Sequence, residues 1–81
     1  MKFHSKSTYN IAVRVKENET SQLSIYNLKG QLVRKENLVA GEHTIVWNGL
    51  DNSGRRCSNG IYFVQMKSAS YSKTSKVLLM K

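Results

Sequence analysis

One cysteine, two histidines and five carboxylates are nearly all that this chain offers to chemistry. Cys57 stands alone, so no internal disulfide forms and no metal quartet can be assembled around it. A catalytic thiol needs a base to take its proton, and no obvious base stands beside Cys57 in the sequence, so it reads as a structural residue. His4 and His43 are separated by unrelated segments with no third ligand at metal spacing. Asp51-Asn52-Ser53-Gly54 lacks the alternating acidic positions and closing Glu with which a loop wraps calcium, and an Asx turn accounts for it. Asn18-Glu19-Thr20 fits a glycosylation sequon, which has meaning only in a compartment that glycosylates. No catalytic residue, metal site or cofactor is read from the sequence, and an enzyme is not expected.

At 81 residues the chain is one domain, near the size at which a single core becomes marginal. Its 40% hydrophobic content is enough to fold, but a core and a deep catalytic pocket together would not fit. Thirteen Lys and Arg against five Asp and Glu give a formal charge of +8, which attracts polyanions: nucleic acid, anionic lipid or acidic polysaccharide. The basic residues are dispersed, with only Arg34-Lys35 and Arg55-Arg56 adjacent, so they read as a solvated basic surface. Tyr26, Tyr62, Phe63 and Tyr71 interleave with Lys and Arg, as in sheets that stack single-stranded bases. Period two puts Tyr62 and Phe63 on opposite faces, which favours burial in the core, and no nucleic acid is expected. Met1 to Ser7 lacks the apolar run of a secretory signal, and Val77-Leu78-Leu79-Met80 falls far short of the roughly 18 residues of a membrane span.

The elements that hold these residues are strands and turns. Residues 1–7 are polar and aperiodic and read as a linker or a disordered end, leaving 8–81 as one folded unit. Ile11, Val13 and Val15 alternate with Ala12, Arg14 and Lys16, the signature of a half-buried strand. A second strand alternates Leu23 and Ile25 with Ser24 and Tyr26, and Lys29-Gly30 breaks it. Gln31 to Leu38 reads as a charged edge strand, Ala40-Gly41 turns the chain, and His43, Ile45 and Trp47 share one face of the next strand. Residues 48–59 are rich in Asn, Asp, Ser and Gly and form a loop. Ile61 to Met66 is apolar on both faces at its start, a central strand, and Tyr71 to Met80 supplies the last one. Six to seven short antiparallel strands predict an all-β sandwich.

Within that frame Trp47 reads as a core anchor, and Gly49, Gly54 and Gly60 as positions where positive φ would make a side chain clash. Lys76-Val77-Leu78-Leu79-Met80-Lys81 is the segment where recognition by a partner is expected. It combines a strand able to pair with an open edge, a basic flank and a free carboxylate.

Leu23 to Val33 with its Lys29-Gly30 turn, Ala40-Gly41 through Trp47-Asn48-Gly49, Asp51-Asn52-Ser53-Gly54, Ser58-Asn59-Gly60-Ile61-Tyr62-Phe63 and the closing Lys76 to Lys81 occur in that order. This series resembles the C-terminal sorting domain of type IX secretion, and is similar to the immunoglobulin-like domain of flagellar hook-capping proteins. The resemblance runs from about residue 8 to residue 81. It implies an immunoglobulin-like sandwich at the end of a larger exported bacterial protein, in which Gly30, Gly41, Trp47, Gly49, Asp51, Gly54, Gly60 and Tyr62 are structural motif positions. It further implies passage through the periplasm to the outer membrane or cell surface, with the type IX translocon and a cell-surface transpeptidase as partners. The upstream cargo domain would be released by a cut in or before residues 1–7, with contact to an anionic lipopolysaccharide. Two alternatives stay open: a structural module of hook-cap or adhesin type, and a basic domain that binds anionic glycan or nucleic acid directly.

Overall fold

The computed structural model describes residues 5–6 and 8–80, which form seven strands and no helix. They are β1 (Ser5–Lys6), β2 (Tyr9–Val15), β3 (Ser21–Asn27), β4 (Leu32–Leu38), β5 (Gly41–Trp47), β6 (Gly60–Ser68) and β7 (Tyr71–Leu79). A five-stranded sheet in the order β1-β7-β6-β3-β4 lies against a two-stranded sheet of β2 and β5, giving the all-β, immunoglobulin-like sandwich expected. All pairings among β2 to β7 are antiparallel.

One pairing departs from that pattern. Ser5 and Lys6 run parallel to β7, opposite Leu78 and Leu79, so two residues read as linker belong to the sheet. Backbone pairing alone places them there. The edge of β7 offers unpaired N–H and C=O groups that any sequence can satisfy, and so no apolar pattern announces the strand. The other residues of the stretch read as linker lie outside the described residues.

The core takes its contents from alternation. Val15, Leu23, Ile25, Leu38, Trp47, Tyr62, Val64 and Leu79 are buried, and Ile11, Val13, Ile45, Val33, Met66 and Val77 pack around them. β2 and β5 each show one buried and one exposed face, as their period-two pattern requires. β6 is central, between β7 and β3, in keeping with its apolar run. β3 is central as well, and its Ser24 is buried on the face opposite Leu23 and Ile25. β4 occupies the edge, where Arg34 and Glu36 form an ion pair at 2.7 Å and Arg34 also donates to the Val46 carbonyl of β5 at 3.2 Å, joining the two sheets at their rim. At the opposite end, Ser70 donates to the Glu19 carboxylate at 3.0 Å, tying the β6–β7 turn to the β2–β3 turn.

Candidate functional site

The segment expected to be recognised is built into the sandwich. β7 is exposed from Tyr71 to Lys76, then sinks: Val77 and Leu78 are half-buried, Leu79 is fully buried, and Met80 is exposed again. Lys81 lies outside the described residues. Alternation sends Val77 and Leu79 into the core and puts Lys76 and Leu78 on the other face. The Tyr9 hydroxyl donates to the Leu78 carbonyl and accepts from the Leu78 N–H at 3.2 Å, so one side chain of β2 clasps the strand across the gap between the sheets. The end of β7 is thereby held in one shape, with Lys76 and Met80 turned to solvent.

The glycine and Asx positions form a pair of matched turns. In Asn27-Leu28-Lys29-Gly30-Gln31, the Asn27 Oδ1 accepts from the Lys29 and Gln31 N–H groups, and the Gly30 N–H donates to the Asn27 carbonyl. In Asp51-Asn52-Ser53-Gly54-Arg55, the Asp51 Oδ1 accepts from Ser53 and Arg55, and Gly54 donates to the Asp51 carbonyl. Each turn closes with a bond from its first N–H to its last carbonyl. Gly30 and Gly54 sit at φ of 83° and 81°, the left-handed conformation that ends such a hairpin loop. A Cβ added at either would meet nothing within 4 Å, so the constraint is torsional, in contrast to the clash expected at Gly54 and Gly60. Gly41, Gly49 and Gly60 also have positive φ. The second turn has another use. Asn52 donates its N–H to the Val33 carbonyl and accepts the Lys35 N–H on its Oδ1, covering part of the open edge of β4 as a partner strand would.

Between the two turns lies an open cleft of about 490 Å³ whose lining includes Val33, Arg56, Cys57 and Tyr62. Asn27 and Asp51 also line it, with the side-chain oxygens already described committed to the turns. Through Tyr62 the cleft meets the aromatic corner of the core. Trp47 is fully buried, meets Tyr62 edge to face with ring centroids 5.1 Å apart, and donates its indole N–H to the Leu50 carbonyl at 2.9 Å. Tyr62 donates to the Ser58 carbonyl four residues back at 2.6 Å. That is the corner arrangement by which sandwiches of this class pin the entry of a strand.

Burial raises the pKa of Tyr62 above its ordinary 10.0, and Cys57 beside it adds to the effect by charge and by hydrogen bonding. The folded state therefore keeps the proton where the unfolded state loses it. The contribution is complete below about pH 10 and is lost as the pH rises through the folded-state value. Tyr62→Phe is expected to remove this alkaline decline and, by losing the bond to Ser58, to lower stability by about 1 kcal/mol, or roughly 4–8 °C in Tm. Thermal unfolding of both proteins across a pH series reads both effects; an unchanged alkaline slope in the variant would contradict the assignment.

His43 uses its Nε2–H to donate to the Val39 carbonyl at 2.7 Å, and among the described residues no three His, Cys, Asp or Glu side chains cluster as a metal site. Tyr9, Asn27 and Asn52 are the positions that reasoning from the sequence missed. Only Asn27 carries a legible signal, since Asn27-x-x-Gly30 repeats the spacing of Asp51-x-x-Gly54.

The sandwich agrees with comparison to known families: residues 2–72 match the model of the FlgD Ig-like domain. The chain belongs to that family. No curated protein and no solved structure matches it. The FlgD Ig-like match takes in β2 through β6, both Asx turns, Trp47 and Tyr62. It ends two residues into β7, at Ser72, so Lys76 to Lys81 lie beyond it.

Proposed function

We propose that this FlgD Ig-like domain is a non-catalytic address module, carried at the end of a larger exported bacterial protein and read by the type IX outer-membrane export machinery. It travels with its cargo through the periplasm to the cell surface, where a transpeptidase removes it. The reading is supported by the ordered resemblance of residues 8–81 to sorting domains of that system. The observation that carries it is the anchoring of β7: Leu79 fully buried and Leu78 clasped by Tyr9, with Lys76 and Met80 exposed on either side. A rigid strand with outward-facing side chains can be bound without first paying the entropy of ordering it.

Removing residues 77–81 would delete Leu79 from the core and confound export with folding. The discriminating variant is Lys76→Glu with Met80→Glu, both exposed, in a cargo protein secreted by a bacterium that has type IX export. The expected result is a folded domain, by circular dichroism, whose cargo stays inside the cell. Export at the level of the unaltered protein would overturn the proposal.

A second reading is a structural module that packs against sibling domains, of the hook-cap or adhesin kind. The family match favours it, because it covers the architecture and stops before residue 76. It predicts normal export of the double variant.

A further inference from the structure

The outward face of the five-stranded sheet carries an ordered ladder of aromatic and basic side chains. Tyr26 of β3 pairs in register with Leu32 of β4 on one side and Phe63 of β6 on the other, and Phe63 pairs with Lys76 of β7. Directly paired residues share a face, and this one is opposite to the face that buries Ile25, Tyr62 and Val64. Two aromatic residues are therefore neighbours on the central strands, flanked by Leu32, 49% exposed, and by the exposed Lys76. The next row on the same face places exposed Lys35 and Thr74 at its ends with the Gln65 amide between them, and exposed Lys67 stands one row beyond.

All five carboxylates of the chain are elsewhere. Glu17 and Glu19 lie between β2 and β3, Glu42 on β5 and Asp51 in its turn, and Glu36, opposite Leu23, is on the core-facing side with Arg34. The face is thus uniformly basic, with aromatic rings at its centre and amide and hydroxyl groups beside them.

We propose that this face binds an acidic polysaccharide. A sugar ring offers just these three chemistries: a C–H face that lies on the negative face of an aromatic ring, hydroxyls for amide and hydroxyl partners, and a carboxylate or sulfate for lysine. The spacing of the charges favours a glycan over single-stranded nucleic acid. Lys35 and Lys76 are three strand spacings and one row apart, about 16 Å. That is sparse for a backbone that carries a phosphate about every 3.4 Å, and it suits a polymer with one charge every few sugar units. This inference is independent of the export reading, since it uses β3, β4 and β6 as well as Lys76.

The test is titration of the 81-residue chain, followed by amide NMR shifts, with hyaluronate, which carries one carboxylate per two sugars, with neutral dextran and with single-stranded oligothymidylate. Hyaluronate is expected to shift residues around Tyr26, Phe63, Gln65 and Thr74, and dextran to shift none. Tyr26→Thr with Phe63→Thr is expected to weaken binding by roughly tenfold or more, and Lys35→Gln with Lys67→Gln to weaken it while leaving the fold untouched. Should the ring variant fail to fold, the shift map and the lysine variant decide the matter. Shifts confined to β2 and β5, no binding, binding unaffected by these lysines, binding by a folded ring variant at full strength, or oligothymidylate binding more tightly at the same residues would each overturn the proposal.

Discussion

Trp47→Ala is expected to remove a large part of the domain's stability. Trp47 is fully buried, meets Tyr62 edge to face and holds the Leu50 carbonyl through its indole N–H. Truncating such a side chain removes about 3–5 kcal/mol, while a chain of this length has a total stability of about 4–12 kcal/mol. The hydrogen bond is the smaller part, about 1 kcal/mol, so Trp47→Phe, which keeps a ring against Tyr62, should fold with a clearly smaller loss. Urea unfolding followed by circular dichroism checks both, since Trp47 is the chain's one tryptophan and fluorescence would vanish with it. An alanine variant within 1–2 kcal/mol of the original, on the scale of ordinary substitutions, would mean that the aromatic corner is not the centre of the core.

The ease with which Trp47 is found in the sequence follows from the strand that carries it. β2 and β5 form a two-stranded sheet with one face on the core, so their alternation is clean and Ile11, Val13, Ile45 and Trp47 could be assigned by period alone. β3 is harder to read. Ser24 is a small polar residue on the outward face, yet it is buried between its register partners Lys35 and Gln65, whose long side chains can cover it. That burial depends on which strands stand beside β3, which no single strand's pattern encodes. The same dependence hid the outward ladder: Tyr62 and Phe63 do point to opposite faces, but the partner of Phe63 is Tyr26, brought alongside by the β3–β6 register.

The candidate site divides along the same line. Asx and glycine turns are local, and Asp51 with Gly54 was legible as a turn because a four-residue spacing contains the whole mechanism. The Tyr9 clasp on Leu78 spans 69 residues and depends on the two sheets meeting, so nothing near Tyr9 signals it. Asn52 covering the edge of β4 is likewise a tertiary fact, although the charges of Arg34, Lys35 and Glu36 were a sound reason to place that strand at an edge.

Leu79→Ala is the second change expected to act strongly. Leu79 is fully buried at the end of β7, opposite Gly60 on one side and Lys6 on the other, so both neighbouring strands meet at its backbone while its side chain fills the core. Truncation should cost about 2–5 kcal/mol, and the loss should be felt first near the strand end. Amide exchange is expected to accelerate at Leu78 and Leu79 before the centre of β6, because local opening needs less free energy than global unfolding. If the exported-cargo reading holds, this variant and Lys76→Glu with Met80→Glu fail for different reasons. The first loses the shape that presents the strand and is rescued by conditions that stabilise the fold, such as lower growth temperature. The second keeps the shape and is not rescued. Equal rescue of both would place the effect of Lys76 and Met80 in folding rather than in recognition.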